Sequence, residues 1–176
     1  SEDFIQPYLL PPDTTGIIPY GHWELVGVES DREYYDKVDH LIPFEWGQWY
    51  PYNNYCPLSI SYSGHVPAGC VAVAGAQTLA YLQNLFEMDI EMPSTVVGVG
   101  YVGNYSVQYS GFSTTLWQDI NSQNPVIAED AIAKLISYIG FLVNMEYGDD
   151  GSGAYTEDLM TNLFKPMGID CHYDDY

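Results

Sequence analysis

The clearest pattern of hydrophobic and polar positions begins at residue 70. Small and apolar residues recur there at helical spacing along one stripe, namely Val71, Ala74, Gly75, Thr78, Leu79, Leu82, Leu85 and Phe86. Such a stripe is typical of a helix with one face packed against a core. The sequence therefore predicts a buried helix over residues 70–86.

Two further helices are predicted in the second half of the chain. Residues 129–143 carry inward-facing Ile132, Leu135, Ile136 and Ile139, and their acidic start suits the positive end of a helix dipole. That start consists of Glu129 and Asp130 in the first turn. The last helix begins with Thr156 as N-cap, turns Leu159, Met160, Leu163 and Phe164 inward, and is stopped by Pro166.

The remaining segments have weaker patterns. Residues 96–109 are rich in Val, Tyr and Gly and fit either strand or irregular structure. Residues 41–68 mix aromatic residues with Pro, Asn and Gly, which predicts a structured loop. Residues 1–40, rich in Pro, Asp and Tyr, are interpreted as a leading segment ahead of residues 41–176, which form one domain or a large part of one.

Charge excludes several classes of function. The chain of 176 residues has 4 Lys and Arg against 24 Asp and Glu, a net charge of -20. Such a surface repels nucleic-acid phosphates and anionic lipid surfaces. No apolar run approaches the length of about 18 residues that a membrane span needs. The start at Ser1 lacks a signal peptide's basic and then apolar pattern, so we expect any export leader to have been removed.

Cysteine supplies the candidate chemistry. The chain has three cysteines, Cys56, Cys70 and Cys171, so at least one thiol is unpaired in any disulfide scheme. Cys70 lies in the first turn of the predicted helix, where exposed N–H groups and the helix dipole stabilise a thiolate. An inert buried thiol is the competing interpretation. Gln48, in the aromatic loop, could donate to an oxyanion or simply pack the loop.

None of the four histidines is an evident general base for this thiol. His22 and His40 lie in the leading segment, and His65 lies five residues before Cys70, which does not ensure hydrogen-bond contact. His172 stands among acidic residues beside Cys171, but the ligand spacing of a zinc site is absent. We therefore treat His65 as a loop histidine and expect no metal and no cofactor.

An ordered set of motifs resembles the streptopain family of papain-like cysteine peptidases. The motifs are Trp46-Gly47-Gln48, Pro51-Tyr52-Asn53, Cys56-Pro57, Gly69-Cys70-Val71-Ala72-Val73-Ala74, and Ala76-Gln77 through to Tyr81. The similarity continues through Ala133-Lys134-Leu135, Gly140, Met145, Tyr147 and Ser152-Gly153-Ala154. It thus covers the chain from about Phe44 to Phe164.

The resemblance implies an α+β, papain-like fold with Cys70 as nucleophile and Gln48 in the oxyanion hole. It also implies that Ser152 and Gly153 line the substrate cleft, although a flexible loop between helices is an equally good interpretation of that turn. The family's catalytic histidine lies in a Gly-His-Ala-Phe-like segment, which this sequence lacks. We therefore expect mainly the helical, nucleophile-bearing half of the fold, with the sheet-rich half largely missing.

The resulting hypothesis is a bacterial cysteine endopeptidase, secreted or attached to the cell envelope and made as a zymogen. Residues 1–40 would be a propeptide remnant, and a second chain would carry the histidine, so that this chain alone is inactive. Its substrate would be a protein or peptide. The alternative is an inactive peptidase-like module that binds a peptide or glycan through its many aromatic residues. A structural or adhesive surface domain is a third interpretation, but it leaves the motif set unexplained.

Overall fold

The computed structural model describes residues 42–86, 98–102, 104–109 and 115–171. Within these ranges the elements follow the order helix, two strands, and a helical second half. The leading segment predicted for residues 1–40, and with it His22 and His40, lies outside the described residues, as does His172. The division into residues 1–40 and 41–176 therefore stays a prediction.

Helix α1, Cys70–Phe86, has the bounds that the hydrophobic pattern predicts. Its buried face is made of Val71, Ala72, Val73, Ala76, Leu79 and Ala80. The predicted stripe was wrong at Ala74, which is exposed, and at Thr78, which is only half-buried. These two residues share the solvent side of the helix, where the Thr78 hydroxyl donates to the Ala74 carbonyl oxygen at 2.8 Å.

Strands β1, Gly98–Val102, and β2, Tyr105–Tyr109, form an antiparallel hairpin. The ambiguous stretch over residues 96–109 is therefore a strand pair in its described part. Val102 pairs with Tyr105, and Gly100 pairs with Val107. This register puts Val102 and Val107 on the same face, and both are buried in the core.

Helix α2, Leu116–Ile120, is short and was not predicted. Helix α3, Pro125–Leu142, begins four residues earlier than predicted, because Asn124 caps it and Pro125 occupies its first turn. The Asn124 side chain accepts from the Val126 N–H at 3.1 Å. The first-turn assignment of Glu129 and Asp130 was therefore wrong. The predicted core positions are confirmed, since Ile132, Leu135, Ile136 and Ile139 are buried.

The last helical segment starts at Thr156, as predicted, but as the short helix α4, Thr156–Asp158, preceded by Tyr155 as N-cap. It continues without a break as a π-helix, Leu159–Phe164, and a 3-10 turn, Lys165–Met167. Pro166 does not stop the segment, because it lies in the first turn of the 3-10 helix, where no N–H is required of it. The end comes at Gly168, in the left-handed region at φ 73°.

The core lies where α1 packs against α3 and the π-helix. Gly75 of α1 makes this approach possible: a Cβ there would lie 2.6 Å from Leu159 Cδ2 and 3.2 Å from Ile139 Cγ2. In the described ranges, every helix is too short or too polar to cross a membrane. The described architecture is α+β, a helical body with one two-stranded sheet.

Candidate active site

Cys70 is the first residue of α1, and its side chain is exposed. The N–H groups of a first helical turn have no partner within the helix and carry the positive end of its dipole. A thiol at this position is therefore next to these N–H groups and accessible to a large substrate. These are the properties that a cysteine nucleophile requires.

Gly69 fixes how the chain enters this helix. Its φ of 88° is strained for any residue with a Cβ. A Cβ at this position would also lie 2.6 Å from Met145 Sδ and 3.1 Å from the Ser152 carbonyl oxygen. Glycine is therefore required here, and it brings the Ser152 backbone against the residue that precedes Cys70.

Gln48 is tied to the same segment through its backbone. The Ala68 N–H donates to the Gln48 carbonyl oxygen at 2.9 Å. Gln48 is therefore hydrogen-bonded to the residue two positions before Cys70. The Gln48 side chain is half-buried. The structure thus brings the Gln48 backbone to the Cys70 segment, across 22 residues of sequence.

Asn53 is a buried residue of the loop that carries Gln48, and its contacts were not predicted from the sequence. It is 4% exposed, and its Nδ2 donates to the carbonyl oxygens of His65 at 2.9 Å and Val66 at 3.1 Å. The Val66 N–H in turn donates to the Pro57 carbonyl oxygen at 2.9 Å. Only the Pro51-Tyr52-Asn53 motif marked this residue, since an asparagine in a turn-rich loop usually signals a local turn.

His65 is held within its own loop by side-chain and backbone contacts. Its Nδ1 lies 2.5 Å from the Cys56 carbonyl oxygen, and its backbone forms an antiparallel bridge with Leu58. The Tyr62 hydroxyl donates to the His65 carbonyl oxygen at 3.1 Å. These contacts support the interpretation of His65 as a loop histidine.

Ser152 and Gly153 belong to a loop held by backbone hydrogen bonds. Glu146 and Gly153 form an antiparallel bridge, with N–H to carbonyl distances of 2.8 and 3.1 Å. The Ser152 hydroxyl accepts from the Gly148 N–H at 3.4 Å, and Asp149 accepts a hydrogen bond from the Ser61 hydroxyl. The loop therefore presents a fixed edge beside Gly69. Gly153 also lines a shallow depression with Asn144, Glu146, Ala154, Tyr155 and Asp158.

The other two cysteines have different surroundings, and all three thiols are free. Burial raises the pKa of the Cys56 thiol to about 12 and also raises the pKa of the neighbouring Tyr147 hydroxyl. The Cys56 thiol and the Tyr147 hydroxyl interact electrostatically. Within the described ranges the Tyr147 hydroxyl has no partner in normal hydrogen-bond geometry. Cys171 is half-buried, and burial raises its pKa, a shift that nearby Lys165 opposes.

Known proteins match this arrangement in sequence and in structure. The model of the peptidase C10 family matches residues 46–174, whereas no curated protein matches the chain. Active wild-type interpain A cysteine protease of Prevotella intermedia is 29% identical with a TM-score of 0.50, over 67% of this chain and 50% of that one. A mutant prointerpain A fragment of the same organism is 27% identical with a TM-score of 0.54, over 72% and 41%.

These matches confirm the family that the motifs indicate and the papain-like fold. The chain spans half or less of the length of these two solved structures. Its match to the family model begins at Trp46, just before Gln48, and runs past the loop of Ser152 and Gly153. The chain therefore belongs to the peptidase C10 family.

Proposed function

We propose that this chain supplies the nucleophile-bearing half of a cysteine endopeptidase active site. The observation that carries the proposal is the exposed Cys70 at the start of α1, with Gln48 hydrogen-bonded to the segment before it. Membership of a peptidase family supports it. The catalytic roles of Cys70 and Gln48, and the place of Ser152 and Gly153 in the cleft, are parts of this proposal.

The reaction begins when the Cys70 thiolate attacks the carbonyl carbon of a peptide bond. A carbon–sulfur bond forms, and the carbonyl oxygen becomes an oxyanion that accepts hydrogen bonds from the Cys70 N–H and the Gln48 Nε2. The carbon–nitrogen bond then breaks, and a histidine transfers a proton to the departing amine. Water activated by the same histidine hydrolyses the thioester, which frees the carboxylate product and regenerates the thiolate.

The histidine is the group that a second chain would contribute in this proposal. The described sequence has no Gly-His-Ala-Phe-like segment of the kind that carries the family's catalytic histidine. We also propose that the peptidase is bacterial, exported and made as a zymogen, with residues 1–40 as a propeptide remnant. Similarity to a prointerpain A of Prevotella intermedia supports this part.

The test is intact mass spectrometry of the purified protein before and after treatment with an epoxysuccinyl peptide inhibitor. We expect a second chain to co-purify with the 19.8 kDa species and one inhibitor molecule to be bound at Cys70. Cys70→Ala, which keeps the scaffold, is the control and should take up none. A co-purifying second chain without inhibitor uptake at Cys70, or equal labelling of Cys70→Ala, would refute the peptidase proposal. A lone 19.8 kDa chain that takes up no inhibitor would favour an inactive fragment or a binding module.

One observation favours a second candidate function, a non-catalytic module that binds a peptide or glycan. Trp49 and Tyr50, directly after Gln48, are 54% and 80% exposed. Aromatic side chains at a surface are suited to such partners. Retained binding of a peptide or glycan by Cys70→Ala, together with an unreactive Cys70 in the unmodified chain, would support this module over the enzyme.

A further inference from the structure

Two residues of the loop that carries Gln48, Gln48 itself and Asn53, are hydrogen-bonded to the segment before Cys70. The Gln48 carbonyl oxygen accepts from the Ala68 N–H at 2.9 Å. The Asn53 carboxamide donates to the carbonyl oxygens of His65 and Val66 at 2.9 and 3.1 Å. The two N–H groups of this buried amide thus donate to consecutive residues, five and four positions before Cys70.

These bonds leave the segment little freedom. The Val66 N–H is bonded to Pro57, and Gly69 is packed against Met145 and the Ser152 carbonyl. Because Val66 and Ala68 are fully buried, water cannot readily replace a donor lost at this place. The position of Cys70 relative to Gln48 is then set by one loop, which is hydrogen-bonded to residues 65, 66 and 68.

We propose that Asn53 is a positioning residue: its carboxamide fixes the thiol of Cys70 at the start of α1 and in register with Gln48. The inference rests on the proposed function, since it concerns the geometry of the proposed nucleophile and oxyanion donor. Asn53 does not touch the substrate in this scheme. It acts only through the His65 and Val66 carbonyls and the backbone that leads from them to Cys70.

The substitutions that test it are Asn53→Asp, which keeps the shape but replaces the donor by an acceptor, and Asn53→Ser, which is smaller and donates one bond at most. Asn84→Ala is the matched control. Asn84 lies on α1 far from Cys70, and its exposed amide exchanges hydrogen bonds with Asn121 at 3.2 and 3.0 Å.

The measurement is the rate of iodoacetamide labelling of each cysteine against pH, by peptide mapping of the full chain, alongside the thermal unfolding temperature. We expect both Asn53 variants to label Cys70 at least tenfold more slowly at neutral pH, with the profile displaced toward alkaline pH. Labelling of Cys171 should not change. Asn84→Ala should behave like the unmodified chain.

The outcomes separate the two proposals. If the unmodified Cys70 labels no faster than Cys171, the nucleophile assignment fails, and this inference fails with it. If the unmodified Cys70 is selectively reactive but folded Asn53 variants keep its rate and pH profile, only the positioning role is overturned. A lower unfolding temperature with an unchanged profile, or loss of folding in both variants, would make Asn53 a structural residue and would also overturn it.

Discussion

At the scale of single residues, burial decides what each cysteine can do. Cys56 is 4% exposed and lies beside Tyr147 in the core, whereas Cys70 is exposed at a helix start. Removing a thiol from water disfavours its ionised form, which is why the pKa of Cys56 is raised from its ordinary value of 9.0 to about 12. The same functional group, a thiol, is therefore structural at Cys56 and a candidate nucleophile at Cys70.

The raised pKa of Cys56 predicts loss of stability at alkaline pH. Between pH 9 and about 12 the unfolded thiol releases its proton while the folded thiol keeps it, so the unfolded state binds fewer protons. The free energy of unfolding must then fall as the pH rises through this window, with the full contribution present below pH 9. Tyr147, whose pKa burial also raises, adds to the same trend.

This prediction is checked by thermal unfolding from pH 7 to 11 in the presence of reductant. We expect the unfolding temperature to decline above pH 9, and Cys56→Ala to decline less steeply from its own lower starting value. Cys171→Ala, at a half-buried thiol, should change the slope much less. Equal slopes for the unmodified chain and Cys56→Ala would contradict the assignment of the alkaline loss to Cys56.

At the scale of elements, small residues determine how closely the helices approach. Gly140 of α3 is the clearest case, because a Cβ there would collide with the Tyr147 hydroxyl and lie 3.8 Å from Ala72 Cβ of α1. The helix, the loop that follows it and α1 therefore meet at one glycine. Overpacking such a contact costs about 1–3 kcal/mol, from which the ~1 kcal/mol that alanine gains over glycine in a helix must be subtracted.

Gly140→Ala should accordingly lower the free energy of unfolding by up to about 2 kcal/mol, measured by urea denaturation. Tyr147→Phe removes the atom that the new methyl group meets, so the double variant should recover most of the loss. Gly151→Ala is the control, since no atom lies within 4 Å of its Cβ position. Additive effects of Gly140→Ala and Tyr147→Phe would show that the collision is not the cause.

The length of each element and the sequence distance between its contacts explain what the sequence could and could not predict. Helix α1 was predicted with its full bounds because a long apolar stripe follows Gly69 directly. The start of α3 was missed although Asn124 and Pro125 form a cap and first turn, and α2 has too few residues for a hydrophobic period to be recognised. The bonds of Gln48 and Asn53 to residues 65–68 join positions distant in sequence, and no local pattern encodes them.

At the scale of the whole molecule, charge is the dominant feature. The net charge of -20 belongs to a chain with only four Lys and Arg residues. One of them, Lys134, is paired with Asp130 at 2.7 Å and lies over the Tyr55 ring at 5.5 Å. Few cations are therefore available to offset the carboxylates, and their mutual repulsion opposes the compact state.

Salt should therefore stabilise this protein. The distance over which charges act shrinks from about 30 Å at 0.01 M ionic strength to about 3 Å at 1 M, so added salt removes most of the repulsion. We expect the unfolding temperature at pH 7 to rise by several degrees between about 0.01 and 0.5 M NaCl, because ~1 kcal/mol corresponds to about 2–4 °C in a chain of this size. KCl should have the same effect, since screening does not depend on the identity of the cation. An unfolding temperature that stays constant or falls with salt would mean that the acidic groups lie too far apart to repel, and that the four cations already compensate those that are close.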